Sequence, residues 1–528
     1  MRDFQLPGRS TAYARGGMAA TSHPAATMAA LDMLRAGGNA VDAAVAAAAV
    51  QAVVEPQSTG IGGDCFALFA PASGGVVAIN GSGWAPAAAT VERLRDLGFE
   101  RLPADSVHSV TVPGAVAAWE LLLREHGRLG LATVLAPAVE AAAAGFPVTP
   151  RVAFDWARGR KRLLGNEAAR RIYLPGGRAP ECGRVMRFPA LARTLERIAE
   201  RGAEVFYRGE LATRMVASLK ALGGLHELAD FAGFAAEFVE PVHGTYRDLR
   251  IYQCPPNGQG LIALLMLNIL EDFDLASLDP HGAERFHLEA EATRLAFRDR
   301  DAFLADPRRA RVPVRELLDK AYAARLRRLI DPGRALAGLP PPLFRDAGDT
   351  VYIAVVDGER NACSFINSLY DGFGSGIVCP DTGILFHCRG RAFVLDPEHP
   401  NAIAPHKRPM HTIIPGLAFR GGELWACFGV MGADYQPVGQ VRLLTNLLDY
   451  GMDPQEALDS PRVMAYPGDL LVERGVAPEV REALAARGHH VLEAEEPLGG
   501  GQCILVDHRR GVLVGGSDPR KDGIALGL

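Results

Sequence analysis

Thr350 is the residue whose type and setting could carry chemistry in this chain. It opens TVYIAVV (350–356), directly after the Pro- and charge-rich stretch PPPLFRDAGD (340–349). A threonine hydroxyl is a weak nucleophile unless a base stands beside it. A Thr at a linker-to-strand junction otherwise reports little more than strand propensity. Competing chemistries are thinly represented. GIGG (60–63) and GGG (499–501) lack the GxxxxGK[ST] and GxGxxG arrangements that cradle phosphates, and neither HExxH nor GxSxG occurs. The eight cysteines form no CxxC pair and no His/Cys metal spacing, and the histidines, His287 and His489 among them, are dispersed.

Bulk properties narrow the classes. A chain of 528 residues can bury a large core or hold two or three domains. Hydrophobic residues at 48% with 22% charged fit a soluble globular chain. A formal net charge of −5 gives no electrostatic basis for binding nucleic acid or an anionic membrane. The opening MRDFQLPGRSTAYARGG lacks the apolar core of a secretory signal. The apolar run from Ala43 to Val54 is broken by Gln51 and is too short to cross a bilayer. Scattered thiols without an export signal predict a cytoplasmic protein.

The elements that must position Thr350 fall into three regions. In the first, Ser22 is the expected cap of a helix with Pro24 in its first turn; Gly37-Gly38 stops it, and an Ala-rich helix runs from about Asn39 to Val54. The small residues of that second helix predict close packing on several sides. PQSTGIGGDCFALFAP reads as a Gly-rich turn followed by a strand, and AERFHLEAEATRLAFRDRDAFLADP as five helical turns ended by Asp306-Pro307. Residues 331–349 form a loop longer than compact domains usually hold, and such loops tend to be functional or cleaved. In the third region TVYIAVV, NACSFINSL, TGILFH, ELWACFGV, GQCILVD and GVLVGG are strand-like, and PVGQVRLLTNLLDYG is helical. Together these predict antiparallel sheet covered by helices, an α+β arrangement.

Several co-linear stretches resemble one family. They are GGMAATSHPAATMAALDMLRAGGNAVDAAVAAAAVQAVVEPQSTGIGGDCFALF, SVTVPGAVAAWELLLREHG, TVYIAVVDGERNACSFINSLYDGFGSGI, NAIAPHKRPMHTIIPG, CFGVMGADYQPVGQ and GSDPRKDGIALG. The chain resembles the gamma-glutamyltranspeptidase (glutathione hydrolase) family of N-terminal-nucleophile hydrolases over almost its whole length. The resemblance implies a four-layer αββα sandwich and an inactive precursor that cuts itself between Asp349 and Thr350. Residues 1–349 would form a large subunit and 350–528 a small one, both in one structural unit. A dimer of such processed heterodimers is one assembly this allows. Cutting frees the Thr350 α-amine, with an ordinary pKa of about 7.7–8.0, to act as base for its own hydroxyl. By the same resemblance Ser368 is the second hydroxyl that hydrogen-bonds the nucleophile. Gly432 and Ala433 supply oxyanion-hole N–H groups, and Gly372 and Phe373 line the pocket. No metal or organic cofactor is implied.

The substrate pocket departs from the family pattern. Ser82 stands where an Arg clamps the substrate α-carboxylate, Tyr370 replaces an Asn, and Ala392 replaces the acidic residue that binds the α-amino group. His411 and Thr412 take the place of two serines. Arg389 and Arg391 lie nearby, and a guanidinium fork suits a carboxylate. The expected substrate is therefore a small anionic amide without the glutamyl amino group, with oxamate as the leading candidate. Glutathione hydrolysis or gamma-glutamyl transfer, and glutaryl or cephalosporin acylase activity, are alternatives. A precursor that never matures and serves as a binding protein is an alternative of another class.

Overall fold

The computed structural model describes residues 5, 8–339 and 349–528, with only the backbone of Asp349. Two seven-stranded sheets, antiparallel throughout, form its centre. One runs Ile524–Gly527, Gly17–Thr21, Asp349–Asp357, Ala362–Tyr370, Asp64–Ala70, Val77–Gly81, Glu237–Val239. The other runs Ala12–Ala14, Val512–Ser517, Gly500–Asp507, Glu423–Met431, Gly416–Arg420, Leu249–Gln253, Val242–Tyr246.

Strand alternation explains the layering, since alternate side chains face opposite sides of a sheet. From the first sheet Tyr352, Ala354, Val356, Phe66, Leu68 and Ile366 meet Leu417, Cys427, Ile504 and Leu513 of the second in one buried layer. Ile353, Val355, Cys363 and Phe365 point the other way, into helices including Pro24–Arg35, Ala40–Val54 and Ala115–His126. Helices Gly260–Leu270, Ala283–Phe303 and Tyr435–Leu448 cover the outer face of the second sheet. The result is the αββα arrangement.

Helix Ala40–Val54 is buried along its entire length. Its near-continuous Ala and Val let it pack closely beneath strand Asp349–Asp357. Asn39 caps it by accepting from the N–H groups of Val41 and Asp42, and the Asp42 carboxylate returns the bond to the Asn39 N–H.

Three local expectations change. The first helix is capped by His23, whose Nδ1 accepts from the Ala25 N–H at 3.2 Å. The Ser22 hydroxyl instead donates to Glu55 at 2.7 Å and accepts from Gln51. The long helix ends at Phe303, ahead of Asp306-Pro307. TGILFH forms only isolated bridges, Val378 to Leu385 and Gly62 to Phe386, because it folds back on its own turn and finds no full-length strand partner. The expected loop at 331–349 is irregular through residue 339, apart from a bridge between Asp331 and Arg334. Residues 340–348 lie outside the described residues.

Candidate active site

Thr350 sits opposite a β-bulge. Asp349 pairs with Tyr370 and Val351 with Asn367, so the register between the two central strands slips by one at Thr350. Ser368 and Leu369 together face the single Thr350, and such a bulge re-aims the side chains it carries, here that of Ser368. Here the Thr350 Oγ1 lies 3.0 Å from the Ser368 Oγ. Strand Asp349–Asp357 runs unbroken through the Asp349–Thr350 bond, so this is the geometry of the uncut chain. Ser368 Oγ also accepts from the Tyr370 N–H at 2.9 Å and lies 3.4 Å from a guanidinium nitrogen of Arg389.

Arg389 is fully buried. It stacks 3.8 Å over the Tyr370 ring and donates to Thr412 Oγ1 at 2.9 Å. Among the described residues its Nε has no acceptor and it forms no ion pair. Burial pushes its pKa down, opposed by Tyr370 and the more distant Asp64. A buried cation left without a carboxylate is costly unless something else neutralises it.

Ser368 is in register with Asp64 on the next strand. The Asp64 carboxylate accepts from the N–H groups of Gly83 and Gly114 and lies 3.0 Å from His411 Nε2. Burial alone raises its pKa, but His387, 3.5 Å away, and the hydrogen bonds outweigh burial and hold it well below the ordinary carboxylate value. The His411 pKa is likewise driven down, to about 3, by burial and by the Arg389 charge, so the ring is neutral and donates to Asp64. Burial likewise pushes His23 and His226 down to about 4.

A pH dependence follows. These three histidines titrate in the unfolded chain near 6.5, above their folded values, so the unfolded state binds more protons as pH falls below about 6.5. Their contribution is complete above that pH and is lost progressively towards pH 4; Asp64 adds its loss only below about pH 4. Each pKa unit is worth about 1.4 kcal/mol. Thermal midpoints should fall steadily between pH 7 and 4.5, and a midpoint flat across that range would contradict the assignment.

At the end of strand Glu423–Met431, Gly432 has φ +118° and Ala433 φ +44°. The second value costs a residue with a Cβ roughly 1–2 kcal/mol, and such strain persists only where the surroundings enforce it. Gln259 supplies part of that enforcement, donating to the carbonyls of both Ala433 and Thr412 at 3.0 and 2.8 Å. Arg300, fully buried, bonds Asp434 at 2.6 Å and Gln259 at 3.3 Å. Among the described residues the N–H groups of Gly432 and Ala433 make no hydrogen bond. Ala433 packs in one small cluster with Tyr370, Cys388 and Ala392.

The fold thus gathers Thr350, Ser368, Tyr370, Arg389, Thr412 and Ala433. Other expected residues go elsewhere. Arg391 turns away from Arg389 and pairs with Asp371 at 2.6 Å, where Arg162 also binds, because the two arginines lie two places apart on a single 3-10 turn. His411 hydrogen-bonds Asp64 at 3.0 Å. Ser82 is held by Asn257 at 3.0 Å. Phe373 packs into the helical layer against Trp156 and Tyr173, leaving Gly372 at the cleft. Asp64, His387, Gln259 and Arg300 carried no sequence signal; only their through-space partners mark them. A cleft of about 1520 Å³ opens beside this group, with Gln57, Arg162, Asp371, Gly372, Arg391 and Gly432 in its walls; Thr350, Ser368 and Arg389 do not line it.

The sequence pattern of gamma-glutamyltranspeptidase matches residues 26–528. The chain belongs to the gamma-glutamyltranspeptidase family. It is 38% identical over 522 residues to the glutathione hydrolase-like YwrD proenzyme of Bacillus subtilis, covering 97% of this chain and 98% of that one. It is also 38% identical over 526 residues to the oxamate amidohydrolase proenzyme of Klebsiella pneumoniae, with the same coverage. The crystal structure of cephalosporin acylase from Bacillus halodurans superposes with a TM-score of 0.93 at 41% identity, covering 100% of this chain and 99% of that one. The chain is accordingly an amidohydrolase of the N-terminal-nucleophile type, from a family of self-processing precursors with a threonine nucleophile. The reading as a non-catalytic binding protein falls with that membership. Among the described residues no helix is long and apolar enough to cross a membrane.

Proposed function

We propose that this member of the gamma-glutamyltranspeptidase family is an acylase that hydrolyses the amide of a short dicarboxylic acid, holding the free carboxylate on Arg389. The carrying observation is the Arg389 guanidinium, buried, without an ion pair among the described residues, and 3.4 Å from the Ser368 hydroxyl. A cation so close to the hydroxyl pair calls for an acyl group whose carboxylate lies only a few bonds from the scissile carbonyl. With Ala392 in place of an acid, nothing calls for an α-amino group on that acyl chain.

In this reading Thr350 Oγ first attacks the Asp349 carbonyl, and hydrolysis of the resulting ester frees the Thr350 amine. The amine then takes the hydroxyl proton as Oγ attacks the substrate amide. Ser368 orients the nucleophile, and the N–H groups of Gly432 and Ala433 receive the developing oxyanion. The amine product leaves with the transferred proton, and water releases the acid. Residues 1–349 and 350–528 are the two subunits.

The cleft that reaches Gly432 at the edge of the site supports a leaving group larger than ammonia. Oxamate is the second reading, favoured by the nearness of Arg389 to the hydroxyl pair. An amide panel decides. Glutaryl and succinyl anilides should be cleaved well, valeryl anilide, which lacks the carboxylate, roughly a hundredfold more slowly, and γ-glutamyl anilide no better than glutaryl. Oxamate turnover exceeding that of the anilides would select the second reading. Equal turnover of valeryl and glutaryl anilides would remove the carboxylate requirement altogether.

A further inference from the structure

Away from the active site, on the far side of the second sheet, helix Ala283–Phe303 carries His287 and Glu291 one turn apart on the same face. His489 reaches the same point from the turn that follows helix Pro478–Ala486. One ligand atom from each of the three lies within 4.8 Å of the others, and all three residues are buried.

Two details make this more than a cluster of polar groups. His287 Nε2 lies 2.7 Å from the carbonyl oxygen of Asp331. A carbonyl only accepts, so Nε2 carries the proton and Nδ1 turns its lone pair on His489 Nε2, 2.8 Å away. Glu291 is oriented by the Leu336 N–H at 2.7 Å and by Arg294 at 2.9 Å. A ring proton given to a backbone carbonyl and a carboxylate held by outer donors are the usual supports of metal-ligating His and Glu.

We propose that His287, Glu291 and His489 form a binding site for a divalent transition metal of the zinc class, completed by water. Two imidazoles and one carboxylate suit that class better than Mg²⁺ or Ca²⁺, which prefer oxygen ligands. Ligands on a tetrahedral zinc stand about 3.3 Å apart, so the two rings need part only slightly. The proton on His489 Nε2 moves to Nδ1, and both rings bind neutral.

The site ties together segments distant in sequence. Asp331 and Leu336, which orient the ligands, belong to the stretch leading towards Thr350. If the chain is cut before Thr350, His287 and Glu291 belong to one fragment and His489 to the other, and the ion joins them. That consequence rests on the proposed cleavage; metal binding does not.

The test uses the full chain stripped with EDTA, then titrated calorimetrically with Zn²⁺ and spectroscopically with Co²⁺. The parent should take up a single equivalent, with visible Co²⁺ bands of a low-coordinate nitrogen-containing site and a raised thermal midpoint on zinc addition. Glu291→Gln and His489→Ala should each weaken binding roughly tenfold or more. Should His489→Ala fail to fold, Glu291→Gln and the parent Co²⁺ spectrum decide alone. A parent that binds no metal, or variants that bind as the parent does, would overturn the proposal.

Discussion

Thr350→Ala should leave the chain as one uncut polypeptide of 56.3 kDa without amidase activity, whereas the parent separates into two fragments meeting before Thr350. The variant lacks the hydroxyl that lies 3.0 Å from Ser368, and with it the atom proposed to attack Asp349 during processing and the amide during turnover. Loss of a covalent nucleophile costs roughly 10⁴-fold or more in kcat. Thr350→Ser keeps both the hydroxyl and the future α-amine, so it should still cut and turn over, more slowly. Intact mass spectrometry reads both variants. Cleavage of Thr350→Ala at the same bond would place the nucleophile elsewhere.

Arg389→Met should lower kcat/KM for a glutaryl anilide by roughly 10²–10⁴-fold, through two charge-assisted hydrogen bonds each worth about 1.5–3 kcal/mol. It should change the valeryl anilide far less. Met fills much of the same volume, and the buried cation it removes has no ion pair among the described residues, so stability should hold or rise. That expectation separates a substrate clamp from a structural arginine. A structural Arg389 would lose stability and depress both substrates alike. Arg391→Met offers a contrast: it breaks the pair with Asp371 on the cleft wall and should leave the preference for a carboxylate intact.

Much of the fold was legible because its signals are local. The helix start near Asn39, the small residues of helix Ala40–Val54 and the strand opening at Thr350 each depend on neighbours a few places away, and the structure follows them. Where a distant residue competes, local signals fail. The Ser22 hydroxyl had a helix end within reach but is drawn to Glu55, 33 positions on, leaving the cap to His23. TGILFH has strand composition but folds back through the Cys379–Ile384 turn.

The sequence by itself determined the family, the alternation of helices and strands, and the Thr350–Ser368 pair as the place to look for chemistry. Tertiary structure alone decided which arginine faces that pair, that His411 belongs to Asp64, 347 positions away, and that His287 meets His489 across 202 positions. The difference is physical. Periodicity, caps and turns are written by covalent neighbours, while the partner of a buried charge or lone pair is whichever group the packed layers bring within about 3 Å.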